Sequence, residues 1–186
     1  FMVKNSNGGE PSHNQSDFMR REPVRDVAFN AVVAALYFAL TVSFEPISFG
    51  AIQFRISEIL VLLCFWRKDL IVGLTIGCVL SNAFSFSYWD ILIGSGATLV
   101  SCVFMVYLSP RLYVAALWPI LFNGLVVGAE LTWLYPVFPE YWQNALSVAG
   151  GELVVMAIGY VVWLFLVRNK AFFRLLKPNA HASILY

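Results

Sequence analysis

Glu45-Pro46-Ile47-Ser48-Phe49-Gly50-Ala51-Ile52-Gln53-Phe54-Arg55-Ile56-Ser57-Glu58 breaks a long apolar run with a proline, a glycine, two carboxylates, an amide and a guanidinium. Hydrophobic sequence flanks it on both sides, so these polar groups belong at or near a membrane boundary. An ionisable group at the centre of a bilayer costs about 2.5–3.5 kcal/mol on insertion scales and normally faces a protein interior or a cavity. A charged, kinked segment between apolar elements reads as a lid or binding loop. A plain interfacial turn, with Arg55 paired to Glu58 at i, i+3 spacing, is the competing reading.

Composition sets the class. The chain has 186 residues, 60% of them hydrophobic and only 12% charged. Soluble domains run at roughly 45–50% apolar and about 25% charged, so this is an integral membrane protein. Cys64, Cys78 and Cys102 all lie within apolar runs and read as buried thiols. The two histidines, His13 and His181, sit near the ends of the chain. No metal centre or resident cofactor is therefore expected. No G-x-x-x-x-G-K-[ST] loop occurs, so any ATP hydrolysis that drives transport must come from another subunit.

A spanning helix needs about 20 apolar residues at 1.5 Å rise. Six candidates follow: 27–44, 56–66 (short for a span), 70–86, 91–108, 112–134 with a kink at Pro119, and 145–167. The expected architecture is an all-α integral membrane protein, a six-transmembrane-helix bundle over residues 25–170. Residues 1–24 read as a disordered polar tail and 171–186 as a basic tail. With six spans both tails share a side, which holds 11 of the 12 basic residues, and only Arg55 lies opposite. The positive-inside rule makes both termini cytoplasmic, in a multi-pass protein of the cell membrane. The loops at 45–55, 87–90 and 135–143 then face outward, where Tyr88, Trp89, Trp133, Tyr135, Tyr141 and Trp142 cluster. An aromatic belt accounts for some of them.

Ala31, Ala35 and Ala39 fall at i, i+4 and i+8 on one stripe of the first helix, where another backbone can approach closely. Glu130 and Glu152 lie near the outward ends of the fifth and sixth helices, with Asn82 and Asn123 deeper. Such groups facing one half of a bundle make a cavity for a polar ligand. The two amides read as interhelical hydrogen-bonding groups. The two glutamates read as functional, because a buried carboxylate is costly without a partner, and Arg55 is the candidate partner for one of them.

Residues 47–58, followed by Gly73-Leu74-Thr75-Ile76-Gly77-Cys78-Val79-Leu80-Ser81-Asn82, strongly resemble the QueT family over about residues 25–170. These are substrate-binding S-components of energy-coupling factor (ECF) transporters, and cobalamin transporters belong to the same group. The resemblance implies a six-helix bundle with both termini inside. It implies capture of a micronutrient from outside and docking on a membrane coupling subunit driven by two ATPase subunits. The protein then topples in the membrane to release its cargo. It further implies that Ala31, Ala35 and Ala39 dock on the coupling subunit. The first loop would gate the site, which places Gln53 and Arg55 at the ligand.

The substrate-binding set expected on these grounds is Gln53, Arg55, Glu58, Tyr88, Trp89, Glu130, Trp133, Tyr135, Trp142 and Glu152. Residues 84–90 depart from the glycine- and proline-containing segment expected of queuosine-precursor members. A deazaguanine needs a tight slot with carboxylate and amide hydrogen bonds and an aromatic stack, whereas a corrinoid needs a wide apolar and aromatic mouth. The aromatic outer loops favour cobalamin, with a queuosine precursor as the alternative. A stand-alone secondary transporter would show internal repeats, and none is evident. A membrane enzyme would need a nucleophile–base arrangement that the helices lack. Besides the coupling module, the ligand and the lipid bilayer, no partner is expected, and no nucleic acid.

Overall fold

The computed structural model describes residues 23–44, 48, 54–85, 88–134 and 138–176. The expectations for Gln53, Tyr135, most of the 45–53 loop and the two terminal tails fall outside these residues. Every element within them is helical: α1 (Pro23–Ser43), α2 (Ile56–Trp66), α3 (Leu70–Asn82), α4 (Tyr88–Leu108), α5 (Leu112–Trp133), α6 (Tyr141–Arg168) and α7 (Lys170–Leu176). Four of them, α1, α4, α5 and α6, are long and apolar enough to cross a membrane. The protein is thus a multi-pass membrane protein.

The short α2 is the centre of the bundle. It begins as a 3₁₀ stretch, Ile56–Leu62, and closes as an α-helical turn, Leu63–Trp66. At about 2.0 Å rise in its 3₁₀ part it reaches roughly 20 Å, short of a hydrocarbon core of about 30 Å. It can be short and apolar all round because protein, not lipid, surrounds it. Leu60 to Trp66 are all buried. The Trp163 indole on α6 donates to the Ile59 carbonyl at 2.6 Å. Trp66 and Trp163 sit 6.0 Å apart, and Phe172 of α7 packs on Trp163 in turn. Helical structure therefore continues past residue 170, and Leu176 is buried.

Two small-residue seams set the helix spacing. Gly73 and Gly77, four apart on α3, face α1 so closely that a Cβ would lie 2.7 Å from the Asn30 carbonyl and 2.8 Å from that of Ala34. Gly124 and Gly128 on α5 meet Ala149 and Ala145 on α6 in the same way. In lipid, where apolar side chains gain nothing by leaving a like solvent, this close approach is a main source of helix association.

Several boundaries differ from the sequence expectation. The third helix stops at Asn82 rather than at 86, where the Ser85 hydroxyl and amide both bond back to the Asn82 carbonyl. The fourth begins three residues early, at Tyr88, which places Asp90 in its first turn. In α5 the helix is interrupted at Ala116, three residues before Pro119, where the proline ring crowds the preceding turn. A π turn follows at Asn123–Val127, and Tyr141 donates to its Leu125 carbonyl at 3.1 Å.

Candidate functional site

A buried polar cluster lies towards one end of the bundle, where α1, α3 and α5 finish and α2, α4 and α6 start. Each of these six helices supplies a group to it. From α1, the Tyr37 hydroxyl donates to Glu58 in the first turn of α2, and Thr98 of α4 donates to the same carboxylate oxygen at 3.3 Å. Thr41 and Ser57 share a hydrogen bond of 2.6 Å beside them. Tyr37, Thr41, Ser57 and Glu58 are wholly shielded from solvent.

Arg55, just ahead of α2, pairs with Asp90 of α4 at 3.5 Å, both side chains buried. Burial, the largest single effect, opposes the guanidinium charge, but Asp90 together with Cys78, Tyr37 and Glu58 outweighs it and holds the Arg55 pKa above the ordinary value. Arg55 is therefore a cation inside the bundle. Asn82 at the end of α3 donates to the Asp90 carbonyl at 2.9 Å and to Ser95 at 3.1 Å. Gly94 leaves room for this arrangement: a Cβ there would lie 2.9 Å from Asp90 Oδ1 and 3.0 Å from Asn82 Nδ2.

On the opposite wall, Glu152 of α6 is buried within electrostatic reach of Glu58 and Arg55, on the side where Asn123 of α5 is also buried. Among the described residues, Glu152 Oε1, Asn123 Oδ1, Glu58 Oε2 and Asn82 Oδ1 have no hydrogen-bond partner. Four buried acceptors in this state cost too much to be an idle feature of a membrane bundle.

Placement of the expected residues is uneven. Arg55, Glu58 and Glu152 come together, and Glu130 is buried in the last turns of α5. Arg55 pairs with Asp90, a carboxylate not among the expected partners Glu130 and Glu152. Tyr88, Trp89, Trp133 and Trp142 are 89%, 53%, 79% and 66% exposed, the pattern of an interfacial aromatic belt. Trp142 also borders an apolar groove of about 570 Å³ between α5 and α6. Ala31, Ala35 and Ala39 are exposed on α1, while the neighbouring Val33, Ala34 and Tyr37 turn inward. Asn82 hydrogen-bonds between helices, as expected of it. The three cysteines are free and buried.

Tyr37, Asp90, Ser95 and Thr98 were not singled out from the sequence. Periodicity along α1 carried the signal for Tyr37 and Thr41, which share the buried face with Val33 and Ala34. A second polar cluster holds the far end of the bundle. There Arg67 is buried, bonded to Asp69 and to Asp26 at 3.0 Å, with Phe29 against its guanidinium at 4.6 Å.

The QueT transporter family model matches residues 27–168. The chain belongs to the QueT transporter family. A curated relative, the queuosine precursor transporter QueT of Lactococcus lactis subsp. cremoris (strain MG1363), is 43% identical over 84 residues. That alignment covers 44% of this chain and 50% of the relative, so the chain matches about half the relative's length. No solved structure matches. The QueT family and this relative are transporters, not enzymes.

Proposed function

We propose that the protein is the substrate-binding component of an importer for a queuosine precursor, capturing a deazaguanine in the polar cluster around Glu58, Arg55 and Glu152. The observation that carries this reading is a compact set of buried, partly unsatisfied acceptors within a chain of the QueT family. A deazaguanine offers ring N–H and amino donors in a small planar frame, which suits such a site. The large ligand favoured on sequence grounds, cobalamin, finds no support in the relatives. The aromatic residues on which that preference rested are mostly exposed rather than gathered around a wide mouth.

The bundle crosses the membrane in six helical segments. In this arrangement α2 is short because its partners shield it, and both termini are cytoplasmic. The imbalance of basic residues supports that orientation. Uptake is driven by an ECF module of one membrane coupling subunit and two ATPases. The exposed stripe of Ala31, Ala35 and Ala39 on α1 is the surface offered to the coupling subunit.

Uptake of a labelled deazaguanine into proteoliposomes tests this, with and without a co-reconstituted ECF module. Accumulation that requires both the module and ATP supports the reading. Accumulation against a gradient by this chain alone would replace it with a secondary transporter.

A further inference from the structure

The two ends of the bundle differ in the charge they present. At the end where α1, α3 and α5 begin, the described residues include six exposed cations, Arg25, Lys68, Arg111, Arg168, Lys170 and Arg174. The two carboxylates there, Asp26 and Asp69, are both engaged by the buried Arg67. At the other end the described residues show one exposed charge, Glu140, and no exposed cation. Three of the six cations gather where α6 passes into α7. Asn169 makes the junction, its side-chain carbonyl accepting from the Ala171 amide at 2.9 Å. Phe172 then packs on Trp163 and Leu176 is buried, so one face of α7 is held by the bundle. On the exposed face Lys170 and Arg174, one turn apart, repel each other as like charges at i, i+4. No Asp or Glu follows Glu152 in the sequence, and Lys177 adds a further positive charge. Arg168 lays its guanidinium over the Phe165 ring at 5.7 Å, its stem along the span and its charge at the end of it.

We infer that α7 and the end of α6 form a binding surface for anionic phospholipid, with the phosphates of acidic headgroups received by Lys170, Arg174 and Arg168. The inference rests on the chain being a membrane protein and is independent of its cargo. The position of α7 favours a lipid over other anions, because it starts two residues after the last span ends and so lies at headgroup depth. A cluster of basic residues directly after a span draws acidic lipids, and a guanidinium matches a phosphate bidentately. Orientation during insertion needs only the number of basic residues beside a span. Two of them on the outer face of a helix whose other face is packed make a fixed surface as well. A zwitterionic headgroup brings its own cation with its phosphate and leaves the repulsion between Lys170 and Arg174 in place, whereas an acidic one relieves it.

The test is native mass spectrometry of the full chain in mild detergent, titrated with phosphatidylglycerol and, separately, with phosphatidylcholine of the same acyl chains. The expected result is phosphatidylglycerol held about 10-fold more tightly or better. Lys170→Gln combined with Arg174→Gln is expected to lower that preference by about fivefold for each charge removed, the effect of one basic side chain near an anionic surface. Lys170→Arg combined with Arg174→Lys should keep it, since both charges remain. Equal affinity of the native protein for the two lipids would overturn the inference. A preference that survives the double Gln variant would place the lipid elsewhere on the basic end and overturn it likewise. Loss of the preference in the charge-conserving variant too would assign the two residues to the packing of α7, against the inference. Displacement of phosphatidylglycerol by inorganic phosphate would make the surface a soluble-anion site in its place. The native-protein comparison stands as a test even if a variant fails to fold.

Discussion

The Arg55 guanidinium meets the Asp90 carboxylate 3.5 Å away inside the bundle, tying the entry of α2 to the first turn of α4. Asn82 binds the Asp90 carbonyl from α3, so the pair joins three helices at one end of the molecule. Removing one member of a buried pair leaves a charge without compensation, at a cost of about 3–5 kcal/mol. Asp90→Asn is accordingly expected to lower the thermal midpoint in detergent sharply. Combining it with Arg55→Met should restore much of the loss. A double variant whose loss is the sum of the two single losses would show that the residues do not act as a pair.

Tyr37 supplies one of the two hydroxyls on Glu58. Tyr37→Phe keeps the ring and leaves that carboxylate short of a donor, costing about 1–3 kcal/mol. Binding is expected to weaken along with stability, because Glu58 then loses its fixed orientation. A Tyr37→Phe protein with native midpoint and native affinity would remove this hydrogen bond from the site.

How far the sequence disclosed these contacts depends on the kind of contact. Arg55, Glu58 and Glu152 stood out because a charge in an apolar run is conspicuous and costly. Asp90 did not, because Ser87-Tyr88-Trp89-Asp90 resembles a turn. Only the early start of α4 turns its carboxylate inward. The four helices long enough to cross a membrane were legible from length and hydropathy, since lipid demands both, and the two shorter apolar helices from hydropathy alone. The 3₁₀ geometry of α2 and the π turn of α5 were not, because they arise from packing between helices. Trp163 on Ile59 and Tyr141 on Leu125 join groups 104 and 16 residues apart, beyond the reach of local pattern.

Gly128 faces Ala145 so closely that a Cβ would come within 2.5 Å of its Cα. Gly128→Val is expected to push α5 from α6, disturbing the wall that carries Asn123 and Glu152. The thermal midpoint should fall, whereas Gly150→Ala, where a Cβ meets nothing within 4 Å, should leave it unchanged. Equal midpoints for the two variants would contradict the close seam.

Ala35 is exposed in the middle of the α1 stripe, away from the buried Tyr37 face. Ala35→Trp should abolish ATP-driven uptake by blocking close approach of a partner helix, and leave the affinity for ligand unchanged. Loss of ligand binding by the isolated Ala35→Trp protein would count against a docking role.

The central claim is the identity of the cargo. Isothermal titration of the purified protein with a deazaguanine queuosine precursor and, separately, with cobalamin decides it most directly. The expected result is saturable, tight, one-to-one binding of the deazaguanine, weakened by Arg55→Ala, with no heat from cobalamin. Tight binding of cobalamin with none of the deazaguanine would contradict it, and would move the site from the buried cluster to the aromatic rim.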